Sequence, residues 1–133
     1  MDFLIKMLVA GGVMGIIDFV WLSVVANKFY KSQIGTLLLE KPNMLAAVAF
    51  YIIYVIGIVV FVLTPALEKN SWQYAAGYGA LFGLIAYATY DLTNLATLKG
   101  WTLKLVVVDL LWGAVLTGGV AVLSYWVIRQ WIS

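Results

Sequence analysis

Four long, mostly apolar stretches take up most of the 133-residue chain: Phe3 to Ala26, Met44 to Leu67, Trp72 to Leu98 and Lys104 to Ile128. The hydrocarbon core of a bilayer is crossed by a helix of about 20 such residues. Backbone polar groups have no water partners in lipid, so each stretch is expected to satisfy its own N–H and C=O groups as a helix. With 65% hydrophobic and 11% charged residues, the chain lacks the polar surface of a water-soluble domain of its size. The sequence therefore predicts an all-α membrane protein, a four-transmembrane-helix bundle forming one transmembrane domain over residues 1–133. An even number of spans puts both termini on the same side.

The breaks between the runs are polar or helix-ending. They run from Asn27-Lys28 through Lys41-Pro42-Asn43, then Glu68-Lys69-Asn70-Ser71, then Lys99-Gly100-Trp101-Thr102. The last is so short that the third and fourth helices are expected to be antiparallel neighbours. The first apolar run is long, is interrupted by Asp18 and follows a leading segment with no basic character, which argues for a retained helix over a cleaved signal peptide. The first loop carries Phe29, Ile34 and Leu37 to Leu39 among lysines, a pattern shared by segments lying along the membrane interface and by ordinary connections. Lys28, Lys31, Lys41, Lys99 and Lys104 flank the side of loops one and three, against Lys6, Lys69 and Arg129 on the side of the termini. The positive-inside rule then favours cytoplasmic loops one and three.

Inside these apolar runs stand three aspartates, Asp18, Asp91 and Asp109. A charge at the centre of a membrane helix costs about 2.5 to 3.5 kcal/mol on insertion scales, so such residues mark polar sites with partners or water. Asp18 lies toward the end of the first helix, Asp91 toward the end of the third and Asp109 near the start of the fourth. An up-and-down bundle puts all three at one level, in the half nearest loops one and three. Tyr51 and Tyr54 enter that level from the second helix, and Tyr87, Tyr90, Thr93 and Asn94 from the third. These residues form the expected ligand- or proton-binding layer. Trp21 and Trp112 lie deeper and are candidates for lining a pocket or for core packing, whereas Trp101, Trp126 and Trp131 fit an interfacial belt.

Spacing supports the inward orientation. Gly11, Gly15 and Asp18, then Gly79, Gly83, Tyr87, Tyr90 and Asn94, and Asp109 with Gly113, follow steps of three and four that share a helix face. Small residues at such intervals let membrane helices approach closely. Two short echoes accompany this: Asp18-x-x-Trp21 with Asp109-x-x-Trp112, and Tyr51-x-x-Tyr54 with Tyr87-x-x-Tyr90. Their palindromic order suits a symmetric four-helix arrangement or a remote duplication.

The run Tyr87-Ala88-Thr89-Tyr90-Asp91-Leu92-Thr93-Asn94-Leu95-Ala96-Thr97-Leu98-Lys99-Gly100-Trp101, with Asp109-Leu110-Leu111-Trp112-Gly113 and Asp18-x-x-Trp21-Leu22, resembles the signature of a family of small predicted bacterial membrane proteins, a domain of unknown function. The likeness extends over the whole chain and implies a bacterial inner-membrane protein of four spans, with no activity attached.

The chain has no cysteine and no histidine, which removes thiol nucleophiles, disulfides, thiolate zinc sites, His- or Cys-ligated haem and an imidazole proton shuttle. No cofactor or metal is expected, and acid–base work falls to carboxylates, tyrosines and amides. A net charge of +2 dispersed over short loops speaks against nucleic acid as a partner. The expected partners are membrane lipids, a small polar or cationic ligand or a lipid, and a second copy in a homodimer. Three functions fit: binding or transport of a small cation, proton or cationic metabolite; an embedded enzyme acting on a lipid or isoprenoid, with an aspartate as acid or base; and an accessory subunit of a membrane complex.

Overall fold

The computed structural model describes residues 3–21, 23–24 and 44–132. The first loop, with the interfacial segment expected there and Lys28, Lys31 and Lys41, lies outside the described residues, as do parts of the expected end of the first helix. Among the described residues the protein consists of four helices: α1 (Phe3–Trp21), α2 (Met44–Glu68), α3 (Trp72–Thr97) and α4 (Leu103–Val127, continued by a widened turn over Ile128–Ile132). It is an all-α membrane protein. α1, α2 and α4 are long and apolar enough to cross a bilayer. α3, at 26 residues, is as long, about 39 Å at the α-helical rise, but Tyr87, Tyr90, Asp91, Thr93 and Asn94 dilute its hydropathy. The helix least suited to lipid carries most of the candidate site.

Local chemistry explains where the helices stop. At the end of α2 the Ser71 amide donates to the Ala66 carbonyl at 3.0 Å and the Asn70 amide to the Leu67 carbonyl at 3.3 Å. Asn70 takes the left-handed conformation, φ 52°, that this pair of reversed bonds requires. Ser71 then caps α3, its hydroxyl accepting from the Tyr74 amide at 3.0 Å. Thr102 repeats the device for α4, accepting from the Leu105 amide at 3.1 Å. Between α3 and α4, Gly100 turns the chain at φ 83°, a conformation that costs glycine nothing. Within α2 a π-helical turn covers Val59–Leu63. Pro65 follows it and has no N–H to offer back to the preceding turn, and the widened turn absorbs that loss.

α3 and α4 form the most extensive contact in the molecule, and glycine makes it possible. A Cβ on Gly83 would lie 2.0 Å from the Gly113 carbonyl oxygen and 2.6 Å from Thr117 Oγ1. One on Gly113 would lie 2.4 Å from Tyr87 Cγ. In lipid, where apolar burial between helices gains little, this kind of close backbone contact is what holds helices together. α1 and α2 complete the core with Ala10, Met14, Val55, Ile58 and Val62 against Leu116, Val120 and Ile128 of α4. The far end of α2 is tied down by two cations. Lys6 Nζ donates to Thr64 Oγ1 at 3.0 Å, and the Arg129 guanidinium donates to the Leu67 carbonyl. Positive charge at a helix C-terminus also complements the negative end of the helix dipole.

Candidate functional site

Tyr87 is the residue through which the candidate site residues are most connected. Its ring packs on the bare backbone of Gly113, and it lies within electrostatic reach of Tyr54, Asp18, Asp109 and Asp91 at once. The aspartates of α1, α3 and α4 thus each act electrostatically on one phenol. Asp91 and Asp109 are close neighbours.

Asp91 is wholly enclosed, at 0% exposure, and neither of its carboxylate oxygens has a hydrogen-bond partner. Asp109 and the indole N–H of Trp101 stand beside it without reaching hydrogen-bond geometry, and the Trp101 Nε1 is itself buried and unpaired. Buried polar groups are almost always bonded, so an unpaired carboxylate beside an unpaired indole N–H singles this spot out as a candidate site. Next to the carboxylates is a cavity of about 320 Å³ lined by Phe50, Ala86, Tyr87, Tyr90 and Asp109. Phe50 and Tyr90, from α2 and α3, lie on the outer face, 54% and 58% exposed. The cavity wall therefore reaches the surface that a spanning bundle turns to lipid.

The remaining predicted residues fall into distinct places. Tyr54 is buried and shares a hydrogen bond of 2.7 Å with Thr117; its ring touches Phe50, Phe82 and Tyr87. Tyr51 approaches Asp18 but gives its hydroxyl proton to the Gly11 carbonyl, so it fastens α1 to α2. Asn94 is half-buried beside Tyr90. Thr93 does not join the layer, contrary to expectation: it is exposed and its hydroxyl donates to the Thr89 carbonyl at 2.5 Å. Sharing a level with Asp91 was insufficient, because position 93 lies on the opposite face of α3. Trp21 and Trp112 stack on each other at 4.1 Å.

The belt assignment of Trp101 also needs correction. The left-handed turn at Gly100 folds its indole back over α3, where the ring meets Tyr90 edge-on at 5.5 Å and its N–H faces Asp91. Trp126 and Trp131 are exposed. Sequence reasoning missed Phe50, Ala86 and Thr117. Only Trp101 had a signal, since it ends the run that carries the family resemblance.

A helical membrane protein holding an enclosed carboxylate pair beside an aromatic cavity is the class that fold and site define. The chain belongs to the family of predicted membrane proteins DUF2177, whose model matches residues 3–126. That family has no established function. Neither the comparison with curated proteins nor that with solved structures gives a match.

Proposed function

We propose that this protein binds a cation, a proton or a cationic solute, at Asp91 and Asp109 and exchanges it across or within a bacterial inner membrane. One observation carries the reading: Asp91 is fully enclosed, next to a second carboxylate, with both oxygens unpaired. Two adjacent charges in a low-dielectric interior repel strongly and lose their hydration. The pair is therefore expected to hold at most one net negative charge, the other being compensated by a bound proton or cation. Tyr87 lies within electrostatic reach of this pair and of Asp18, and the Trp101 N–H stands beside Asp91.

The test uses the full chain in proteoliposomes, with proton flux followed during imposed gradients of potassium, sodium and ethidium. The wild type should couple at least one of these cations to proton movement, and Asp91→Asn should not. Vesicles indistinguishable from protein-free ones under every gradient would overturn the proposal. Lipid profiling of a deletion strain would then test the embedded lipid enzyme, which the lateral position of Phe50 and Tyr90 also accommodates.

A further inference from the structure

We infer that the cavity takes an organic ammonium ion with an apolar body, entering from the lipid between Phe50 of α2 and Tyr90 of α3. The inference rests on the cation-binding reading above and narrows its ligand. Three kinds of cation fit a carboxylate pair, and the cavity discriminates among them. A proton needs no cavity, whereas about 320 Å³ of space adjoins Asp109. This is the lower range of small-molecule sites, which begins at about 300 Å³.

A hard divalent ion such as Ca2+ or Mg2+ needs about six or more oxygen ligands at short distances. Among the described residues no three acidic side chains gather closely enough to hold one, and Asp109 is the single carboxylate in the cavity wall. The rest of the wall is Phe50, Tyr87, Tyr90 and Ala86. Aromatic faces attract a cation through their quadrupole, and do so best for a diffuse, weakly hydrated charge such as a substituted ammonium. Asp109 supplies the counter-charge directly, and enclosed Asp91 supplies it from behind.

The route of entry follows from exposure. Phe50 and Tyr90 each present about half of their surface to the outside of the bundle. On the reading that α2 and α3 both span, this outside is hydrocarbon. A solute that partitions into the bilayer reaches the cavity without crossing the packed α3–α4 contact.

Purified full-length protein in a neutral detergent should bind benzyltrimethylammonium saturably in equilibrium dialysis and bind its uncharged carbon isostere, neopentylbenzene, at least tenfold more weakly. Tyr90→Leu and Phe50→Leu should each raise the dissociation constant of the ammonium about tenfold, the loss of about 1.4 kcal/mol expected for a partly desolvated cation–π contact. Tyr90→Phe keeps the ring and should stay within about threefold of wild type. Equal binding of the two isosteres, or indifference to both leucine substitutions, overturns the inference. Proton coupling that depends on Asp91, without benzyltrimethylammonium binding, overturns the ligand class and spares the carboxylate site. Ammonium binding unchanged in both Asp91→Asn and Asp109→Asn overturns the carboxylate site as well.

Discussion

Trp21 of α1 and Trp112 of α4 stack face to face, with ring centroids 4.1 Å apart and planes 8° from parallel. They are the last residues of the two Asp-x-x-Trp echoes. The two Tyr-x-x-Tyr echoes meet as well, through Tyr54 and Tyr87, whose rings sit edge to face at 6.5 Å. The outer helices thus pair through one motif and the inner helices through the other, with Asp18 and Asp109 both within electrostatic reach of Tyr87.

The tryptophan pair should hold α1 against the bundle, because α1 has fewer neighbours than α4. Aromatic pairs are worth about 0.5 to 1.5 kcal/mol beyond their area. A double-mutant cycle with Trp21→Leu and Trp112→Leu, read by unfolding in detergent, should return a coupling in that range. Additive effects of the two substitutions would show that the rings only fill space.

Close packing between α3 and α4 makes a sharper prediction about glycine. Gly83→Ala drives a methyl into the backbone of Gly113 and should cost about 1 to 3 kcal/mol or more, as overpacking does. Gly113→Ala should displace the Tyr87 ring and disturb the site together with stability. At Gly12 and Gly77 an added methyl would meet no neighbouring side chain or helix within 4 Å. Alanine there should be neutral or stabilising by about 0.5 to 1 kcal/mol. Thermal unfolding of the four variants compares them directly.

The α2–α3 turn gives a local test. Ser71→Ala removes the acceptor for the Tyr74 amide and should cost about 1 kcal/mol. Asn70→Gly should be neutral or mildly stabilising, because glycine holds φ 52° without strain, whereas Asn70→Val should destabilise. Chemical unfolding of the three variants in detergent reads the order.

These elements differ in how far the sequence disclosed them. Helix ends were legible because their chemistry is local: Ser71 and Thr102 are caps wherever they stand before an apolar run, and Gly100 permits a left-handed turn in any context. Asp91 and Asp109 were legible as neighbours because hydropathy exposes them and an antiparallel α3–α4 pair brings their levels together. The cavity wall was not. Phe50 and Ala86 look like any other apolar residue of a span, and Thr117 acquires a role only through Tyr54 from another helix. Thr93 erred in the other direction, since a hydroxyl can bond its own helix carbonyl and need no site at all. Trp101 combined both problems: a tryptophan beside a loop reads as interfacial until the turn at Gly100 shows where the indole goes.

Orientation rests on the lysine bias and can be read directly, because the chain has no cysteine of its own. Glu68, the last residue of α2, and Lys99, just past the end of α3, are both exposed and flank α3 on opposite sides. In intact cells an impermeant thiol reagent should label Glu68→Cys, and should label Lys99→Cys only after permeabilisation. The reverse pattern would place the termini in the cytoplasm and turn the site toward the outer leaflet.

Asp91→Asn separates a ligand site from a structural fastener. A fastener carboxylate is engaged by donors, and losing its charge weakens those bonds, though hydrogen bonds between membrane helices average only about 0.6 kcal/mol. Asp91 has no such donors in place, and it sits beside a second carboxylate. Replacing it with a neutral isostere removes repulsion and a buried charge while keeping the shape. Thermal stability in detergent should therefore be equal to or higher than wild type, while cation coupling in proteoliposomes is lost. Asp109→Asn, on the cavity wall, should lose coupling in the same way. A drop in melting temperature with coupling intact would identify Asp91 as a fastener and remove it from the site.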